Sequence, residues 1–318
     1  MKILFLAEYA PEFEMKNIEA SRVKTVQYHN QIYDAIRSLG HDVVATSNIY
    51  HLIDNPTSYD IVWSLLRDGS RDIQMLVSAL CNKLNIKYIG ASSSVRALML
   101  DKNISKLLAK HLEIPTPAWI VASKNYPEPK YQPFEGPYFV KPRFGGASVG
   151  ISESSLAFSY SDVKKLTGQY FLSDIEVIIE EYIDGVEYGI PILNAQCGGL
   201  VVGIPIKAMS SKNGIITYGQ KNGTEGGLTR ELSDDECVNE IICEYAKKYF
   251  LASQPCDYAR IDFMVSRNDS KPYFLETNSL MLLMQGGLTE KSLLNDNIKS
   301  YENIIKHIID TAAKKKSF

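Results

Sequence analysis

The stretch Tyr258–Asn278, YARIDFMVSRNDSKPYFLETN, decides the fold of this 318-residue chain. Its pattern predicts two short strands joined by a turn. Arg260, Ile261, Asp262, Phe263, Met264 and Val265 alternate polar with apolar, Asn268-Asp269-Ser270 interrupts, and Tyr273-Phe274-Leu275 resumes. A period of two places Arg260 and Asp262 on one face of the first strand, and Glu276 and Asn278 on one face of the second. If the turn pairs the strands, two carboxylates, an amide and a guanidinium converge. The two carboxylates and the amide oxygen are hard oxygen ligands, suited to Mg²⁺ carrying a phosphate chain. The same pattern also describes a hairpin whose polar face simply meets water. Other stretches have to choose between them.

Bulk properties narrow the choice. A hydrophobic share of 45% and a charged share of 22% are those of a globular protein with room for two or three domains. The net charge of −3 gives no reason to expect a nucleic acid or an anionic membrane as partner. Cys81, Cys197, Cys237, Cys243 and Cys256 are scattered and odd in number, which suggests free thiols in a reducing cytoplasm. The apolar run Ile3–Ala7 is short for a signal peptide and reads as a buried strand.

Upstream, strands at 2–7, 43–45, 60–64 and 87–89 alternate with helices over about 23–39 and 73–84, the first closed by Gly40. That alternation predicts a small parallel α/β sheet ending near Ser94. No GxGxxG follows the first strand, so a dinucleotide site of that kind is not expected. A single helix over about 94–110 is predicted next, with Asp101-Lys102 near its middle. Strands are expected at 119–121, 138–142, 176–182, 187–195 and 200–206, a mobile loop at 210–227, and helices at 234–250 and 299–313. The tail Lys314-Lys315-Lys316 reads as solvated.

Two further stretches carry chemistry. Lys141 ends the apolar strand Tyr138–Pro142 and precedes Arg143-Phe144-Gly145-Gly146-Ala147-Ser148-Val149-Gly150. Such a loop lets backbone N–H groups approach phosphate, with the Ser148 hydroxyl as a further donor, although glycine content alone also fits a plain turn. Glu180 and Glu181 close another apolar strand, and Glu187 follows the Asp184-Gly185 turn. A strand end of this kind can meet an adenine edge, and a nearby carboxylate can accept from ribose hydroxyls.

In their order along the chain these pieces resemble the ATP-grasp fold, and within it the D-alanine–D-alanine ligase group of carboxylate–amine ligases. The resemblance covers about 88–309. It rests on Ala97–Lys102 with Ile114-Pro115-Thr116-Pro117, Phe139–Pro142 with Gly146–Gly150, Ile179–Ile183, and Arg260–Phe263 with Leu275–Asn278. It implies an α/β (α+β) architecture of three parts. These are a Rossmann-like parallel domain over 1–94, a central lid subdomain over 95–183, and a C-terminal antiparallel-sheet domain over 184–318. It also implies site roles. Lys102 and Lys141 hold the phosphates of ATP under the glycine loop and Ser148, and Lys221 reaches the γ-phosphate. Glu180, Glu181, Tyr182 and Ile183 meet adenine, and Glu187 the ribose. Asp262, Glu276 and Asn278 bind two Mg²⁺ ions, with Mn²⁺ as an alternative, while Arg260 stabilises the acyl phosphate. Glu19, Gly287, Ser292 and Leu293 contact substrate. The implied reaction joins a small-molecule carboxylate to an amine, in a cytoplasmic homodimer with no nucleic-acid or membrane partner.

Departures from the family pattern gather at the acceptor end. Ala147 replaces the first of two loop serines, and Asn222 replaces a tyrosine beside Lys221. Leu65-Leu66-Arg67-Asp68-Gly69-Ser70 stands where the family has His-Gly-Arg-Gly. After Asn278, Pro-Gly-Met-Thr becomes the longer Ser279–Thr289, rich in Leu and Met. These changes point to a more apolar substrate pocket and away from D-alanyl-D-alanine as product. D-alanine ligation with an atypical pocket, or an ATP-binding module without turnover, are the alternatives.

Overall fold

The computed structural model describes residues 1–9, 23–67, 71–146, 148–195, 198–211 and 214–315. Strands β1 (Lys2–Leu6), β2 (Asp42–Thr46), β3 (Ile61–Ser64) and β4 (Lys87–Ile89) form a parallel sheet in the order β2-β1-β3-β4. Helices α1 (Val23–Ser38), α2 (Tyr50–Asp54) and α3 (Arg71–Leu84) join them. β1 and β3 are near-continuous apolar runs because both faces of the sheet are covered; Ile3–Leu6 and Ile61–Ser64 are all buried. Gly40 takes φ +81° where α1 must end.

The predicted helix over 94–110 is two helices, α4 (Ser93–Leu100) and α5 (Lys102–His111). Asp101 turns extended at ψ 104°, and its carboxylate accepts from the backbone of Asn103 and Ile104, capping α5. Arg143 Nε and Nη2 clamp the same carboxylate at 3.0 and 2.6 Å. The break therefore comes from a cap and a distant guanidinium, which helical periodicity does not register.

The middle of the chain forms an antiparallel sheet of β5 (Trp119–Ala122), β6 (Tyr138–Pro142), β7 (Leu156–Ala157) and β8 (Val177–Glu181), in the order β5-β8-β6-β7. Helix α6 (Tyr160–Leu172), capped by Ser159 and not anticipated, packs on it. The third sheet comprises β9 (Gly185–Asn194), β10 (Leu200–Val202), β11 (Ile206–Ser210), β12 (Leu228–Leu232), β13 (Tyr258–Ser266) and β14 (Pro272–Asn278). Its order is β12-β11-β9-β13-β14, with β10 beside β9. The expected strand at 200–206 thus stops at Val202, and Ile206 opens another. The expected loop at 210–227 contains α7 (Tyr218–Asn222), which Thr217 and Gln220 cap reciprocally. Helices α8 (Glu236–Ala252), α9 (Leu288–Leu293) and α10 (Tyr301–Ala313) complete the chain.

Packing does not follow chain order. Ile304, Ile305, Ile308 and Ile309 of α10 share a core with Ile3, Phe5 and Trp63 of the first sheet. Val95, Met99 and Ala109 of α4 and α5 pack with Tyr249 of α8 and with Phe263 and Phe274 of the third sheet. The predicted division at 95–183 is therefore split in space, its two helices belonging with the third sheet. Among the described residues no helix is long and apolar enough to cross a membrane.

Candidate active site

Strand register gathers the functional side chains on one face of the third sheet. Arg260 lies opposite Asn278, and Asp262 opposite Glu276. On its other side β13 sets Asp262 opposite Gly189 and Met264 opposite Glu187, and Glu187 faces Ala208 across β11. Directly opposed residues share a face, so Arg260, Asp262, Glu276, Asn278 and Glu187 all project the same way. The register with β14 shifts just after Asp262. Arg260 Nε and Nη2 donate to the two oxygens of Asp262, both at 2.7 Å, and Asn278 Nδ2 donates to Asp262 Oδ2 at 3.0 Å.

Gly189 makes this arrangement possible. A Cβ there would lie 2.9 Å from Arg260 Cδ and 3.2 Å from Asp262 Oδ1. Burial raises the pKa of Asp262 despite Arg260, with Glu187 and Glu276 adding to the rise. Burial works against the charge of Arg260, yet Asp262 more than offsets it and its pKa rises.

The lysines arrive from other elements, Lys102 and Lys106 from α5, Lys221 from α7 and Lys141 from β6. Lys102 opens α5 immediately after the Asp101 cap, and its Nζ donates to Gly145 O at 2.7 Å and lies 3.8 Å from Glu276. Lys141 on β6 pairs with Glu180 Oε2 at 2.6 Å, while Lys106, one helical turn beyond Lys102, approaches Glu180 Oε1 at 2.9 Å. Burial would push the Glu180 carboxyl up, but the two ammonium groups overcome it and hold its pKa at about 2. Burial lowers Lys106 to about 8, because it has only a share of that carboxylate. Lys221 on α7 lies 3.5 Å from Glu187. In the glycine loop Gly145 and Gly150 take φ +90° and +74°, and Ser148 is held at φ +57°, a left-handed conformation costly for serine. Gly146 lies against the end of β14: a Cβ on it would meet Asn278 Oδ1 at 3.1 Å.

Between the third sheet and the middle sheet lies a single open cavity. It brings together Lys102, Lys141, Ser148, Glu180, Glu181, Tyr182, Ile183, Glu187, Lys221, Asp262 and Glu276. Phe139, Ile216, Met264 and Leu275 supply apolar walls that the motif reading missed. Arg260 and Asn278 border it through Asp262. The expected substrate residues stand elsewhere. Ser292 is buried with its Oγ donating to Ile204 O at 2.6 Å, and Leu293 is fully buried in the core under the first sheet. Gly287 caps α9 and donates to Met284 O. Ser292 and Leu293 therefore both pack inside and apart from the lining of the cavity. Glu19, Asp68–Ser70 and Ala147 lie outside the described residues, as does the side chain of Asn222. Lys106 was also missed, although its i+4 spacing from Lys102 was a usable signal.

A family model described as D-ala D-ala ligase C-terminus matches residues 108–310. The chain belongs to the D-alanine–D-alanine ligase family. D-alanine–D-alanine ligase B of Clostridium perfringens is 32% identical over 247 residues, 76% of each chain. The D-alanine–D-alanine ligase of Clostridium botulinum is 30% identical over 243 residues, 75% of this chain and 76% of its own. In fold, a crystal structure of D-alanine–D-alanine ligase from Bacillus anthracis complexed with ATP matches with a TM-score of 0.75 at 21% identity. It covers 98% of this chain and 97% of that one. The VanG D-Ala:D-Ser ligase of Enterococcus faecalis matches with a TM-score of 0.73 at 16% identity, covering 98% of each chain. This member of the family is an ATP-dependent enzyme that forms a carbon–nitrogen bond, which sets aside the module without turnover.

Proposed function

We propose that this ligase activates the carboxylate of an amino acid or related acid with ATP and joins it to an amine, releasing ADP and phosphate. One observation carries the reading: the acidic pair Asp262–Glu276 and the lysines 102, 141 and 221 face one another across a single cavity. In this reading the apolar walls around Phe139 and Met264 take the adenine beside Glu180–Ile183, and Glu187 takes the ribose. Lys102, Lys141, Lys221 and the glycine loop face the phosphates. Lys141 and Glu180 act there as a pair.

The acidic pair fits magnesium. Among the described residues no three His, Cys, Asp or Glu side chains form a metal cluster of their own. Asp262, Glu276 and the amide of Asn278 would therefore hold Mg²⁺ together with phosphate oxygens. Bound Mg²⁺ would offset phosphate charge during transfer. A substrate carboxylate oxygen attacks the γ-phosphorus, the bond to the β-phosphate breaks, and ADP leaves. The amine then attacks the acyl carbon beside Arg260, which stabilises the oxyanion, and phosphate departs with the amine's proton. The glycine loop and α7 exclude water from the acyl phosphate.

The names of the relatives favour D-alanine on both sides as a second reading. The segment after Asn278 favours a different substrate. Arg67 Nη2, Tyr28 Oη and Tyr301 Oη donate to the carbonyls of Leu280, Met281 and Leu283, pinning the added residues between the first and third sheets. We further propose a homodimer in the cytoplasm. Free thiols at Cys81, Cys243 and Cys256 fit a reducing compartment. ADP release in the presence of Mg²⁺ and pools of D- and L-amino acids tests the assignment. Stimulation by D-alanine alone supports the second reading, and stimulation by another pool the first. Silence with every pool removes both.

A further inference from the structure

The run Lys314-Lys315-Lys316 after α10 is expected to be solvated, yet Lys315 turns inward. Its side chain is only 20% exposed, and its Nζ lies 2.7 Å from Asp257 Oδ2 and 3.3 Å from Gly90 O, over the ring of Tyr88. Asp257 is buried. The Gly90 amide donates to the same Oδ2 at 2.6 Å, whereas Oδ1 has no hydrogen-bond partner among the described residues. Burial raises the pKa of Asp257, and the Lys315 ammonium and the Gly90 amide oppose the rise. Cys256 and Tyr258, its neighbours in the chain, stay neutral because burial pushes both up to about 12, and burial likewise raises Tyr88 on β4. Arg96 of α4 is buried beside Tyr258, Cys256 and Tyr88, but its Nε and Nη1 bond to none of the described residues. Lys315 is thus the cation paired with Asp257.

The pair stands at a joint that leads into the site from two directions. Gly90 follows β4, and the chain runs from it through α4 to Asp101 and Lys102. Asp257 precedes β13 and lies three residues before Arg260 (260 − 257). Asp257 N donates to Gly90 O at 3.3 Å and Ser92 N to Pro255 O at 3.1 Å, which stitches the two segments side by side. Asn194 N of β9 donates to Asp257 O at 2.8 Å, and Lys87 Nζ of β4 donates to Ala313 O of α10. A buried carboxylate left without a cation at this joint would draw in water and part the segments. We infer that Lys315 is a positioning residue for the ligase reaction: by neutralising Asp257 it holds the start of β13 against the turn before α4, and so keeps Arg260 and Asp262 aligned with Lys102 at the cavity. The inference rests on the ligase reading and adds to it a residue outside the cavity.

The test measures ADP release by the full chain, well below its melting temperature, with MgATP and the amino-acid pool that stimulates wild type. Lys315→Met should lower kcat about 10-fold and change the KM for ATP by less than about twofold, because Lys141 and Glu180 stand on the middle sheet. Lys315→Gln, a milder change for use if the first variant does not fold, should lose kcat likewise, whereas Lys315→Arg should keep most of it. The double variant Lys315→Met/Asp257→Asn still offers Gly90 an acceptor and strands no charge, so it should recover most of the lost kcat. Unchanged kcat in Lys315→Met and Lys315→Gln overturns the inference, even with a lowered melting temperature, since a purely structural pair gives that result. An equal loss in the double variant also overturns it, because Lys315 then acts through packing and not through charge. Both of those outcomes leave the ligase reading standing. Absence of ADP release by wild type with every amino-acid pool defeats that reading itself, and the positioning role with it.

Discussion

Glu180 shows how a residue with a surface composition becomes interior. Its carboxylate is almost fully buried between Lys106 and Lys141. Removing the negative charge leaves two buried ammonium groups without a partner, so Glu180→Gln should cost about 3 kcal/mol of unfolding free energy. Lys106→Met should cost less, because Glu180 keeps Lys141 and one buried charge disappears. Urea denaturation of both variants checks the order, and equal losses would refute it. The pH dependence has a definite sign. The carboxyl falls from 4.5 in the unfolded chain to about 2 in the fold, so its stabilisation is complete above pH 4.5 and lost as pH falls towards 2. The gap between wild type and Glu180→Gln should accordingly narrow from pH 5 to pH 3. Glu180 was legible as a strand end near a nucleotide. Its two lysines were not, because Lys106 lies 74 positions away (180 − 106) on another element.

Among the elements, β13 and β14 were read correctly from alternation alone, since a two-residue period and a turn are local properties. The helix break at Asp101 was missed because Arg143 and the cap enforce it from outside the helix. Gly189 belongs to the same category. Its φ is unremarkable, and only the side chains of the neighbouring strand give its missing Cβ a purpose. Gly189→Ala should push Arg260 and Asp262 apart and lower kcat about 100-fold, while the displaced atoms belong to flexible side chains and the melting temperature changes little. A variant with unchanged kcat would show that the Arg260–Asp262 geometry is not needed for turnover.

At the scale of the whole molecule, two lobes close on one cavity, and α10 returns to complete the core of the first sheet. Ligand binding should therefore stabilise the molecule as a unit. At 100 times its dissociation constant MgATP should add about 2.7 kcal/mol, a rise in melting temperature of about 4 °C for a chain of this size. ATP with EDTA should give a smaller rise. Equal shifts with and without Mg²⁺ would count against Asp262 and Glu276 as a metal site. The sequence by itself determined the order of the motifs, the hairpin Tyr258–Asn278, the glycine loop and the family, because periodicity, capping and turn chemistry act over a few residues. Only the tertiary structure decided that Lys141 and Lys106 share Glu180 and that Ser292 and Leu293 pack inside. Those outcomes depend on strand register and burial between segments far apart in the chain, and local patterns do not encode them.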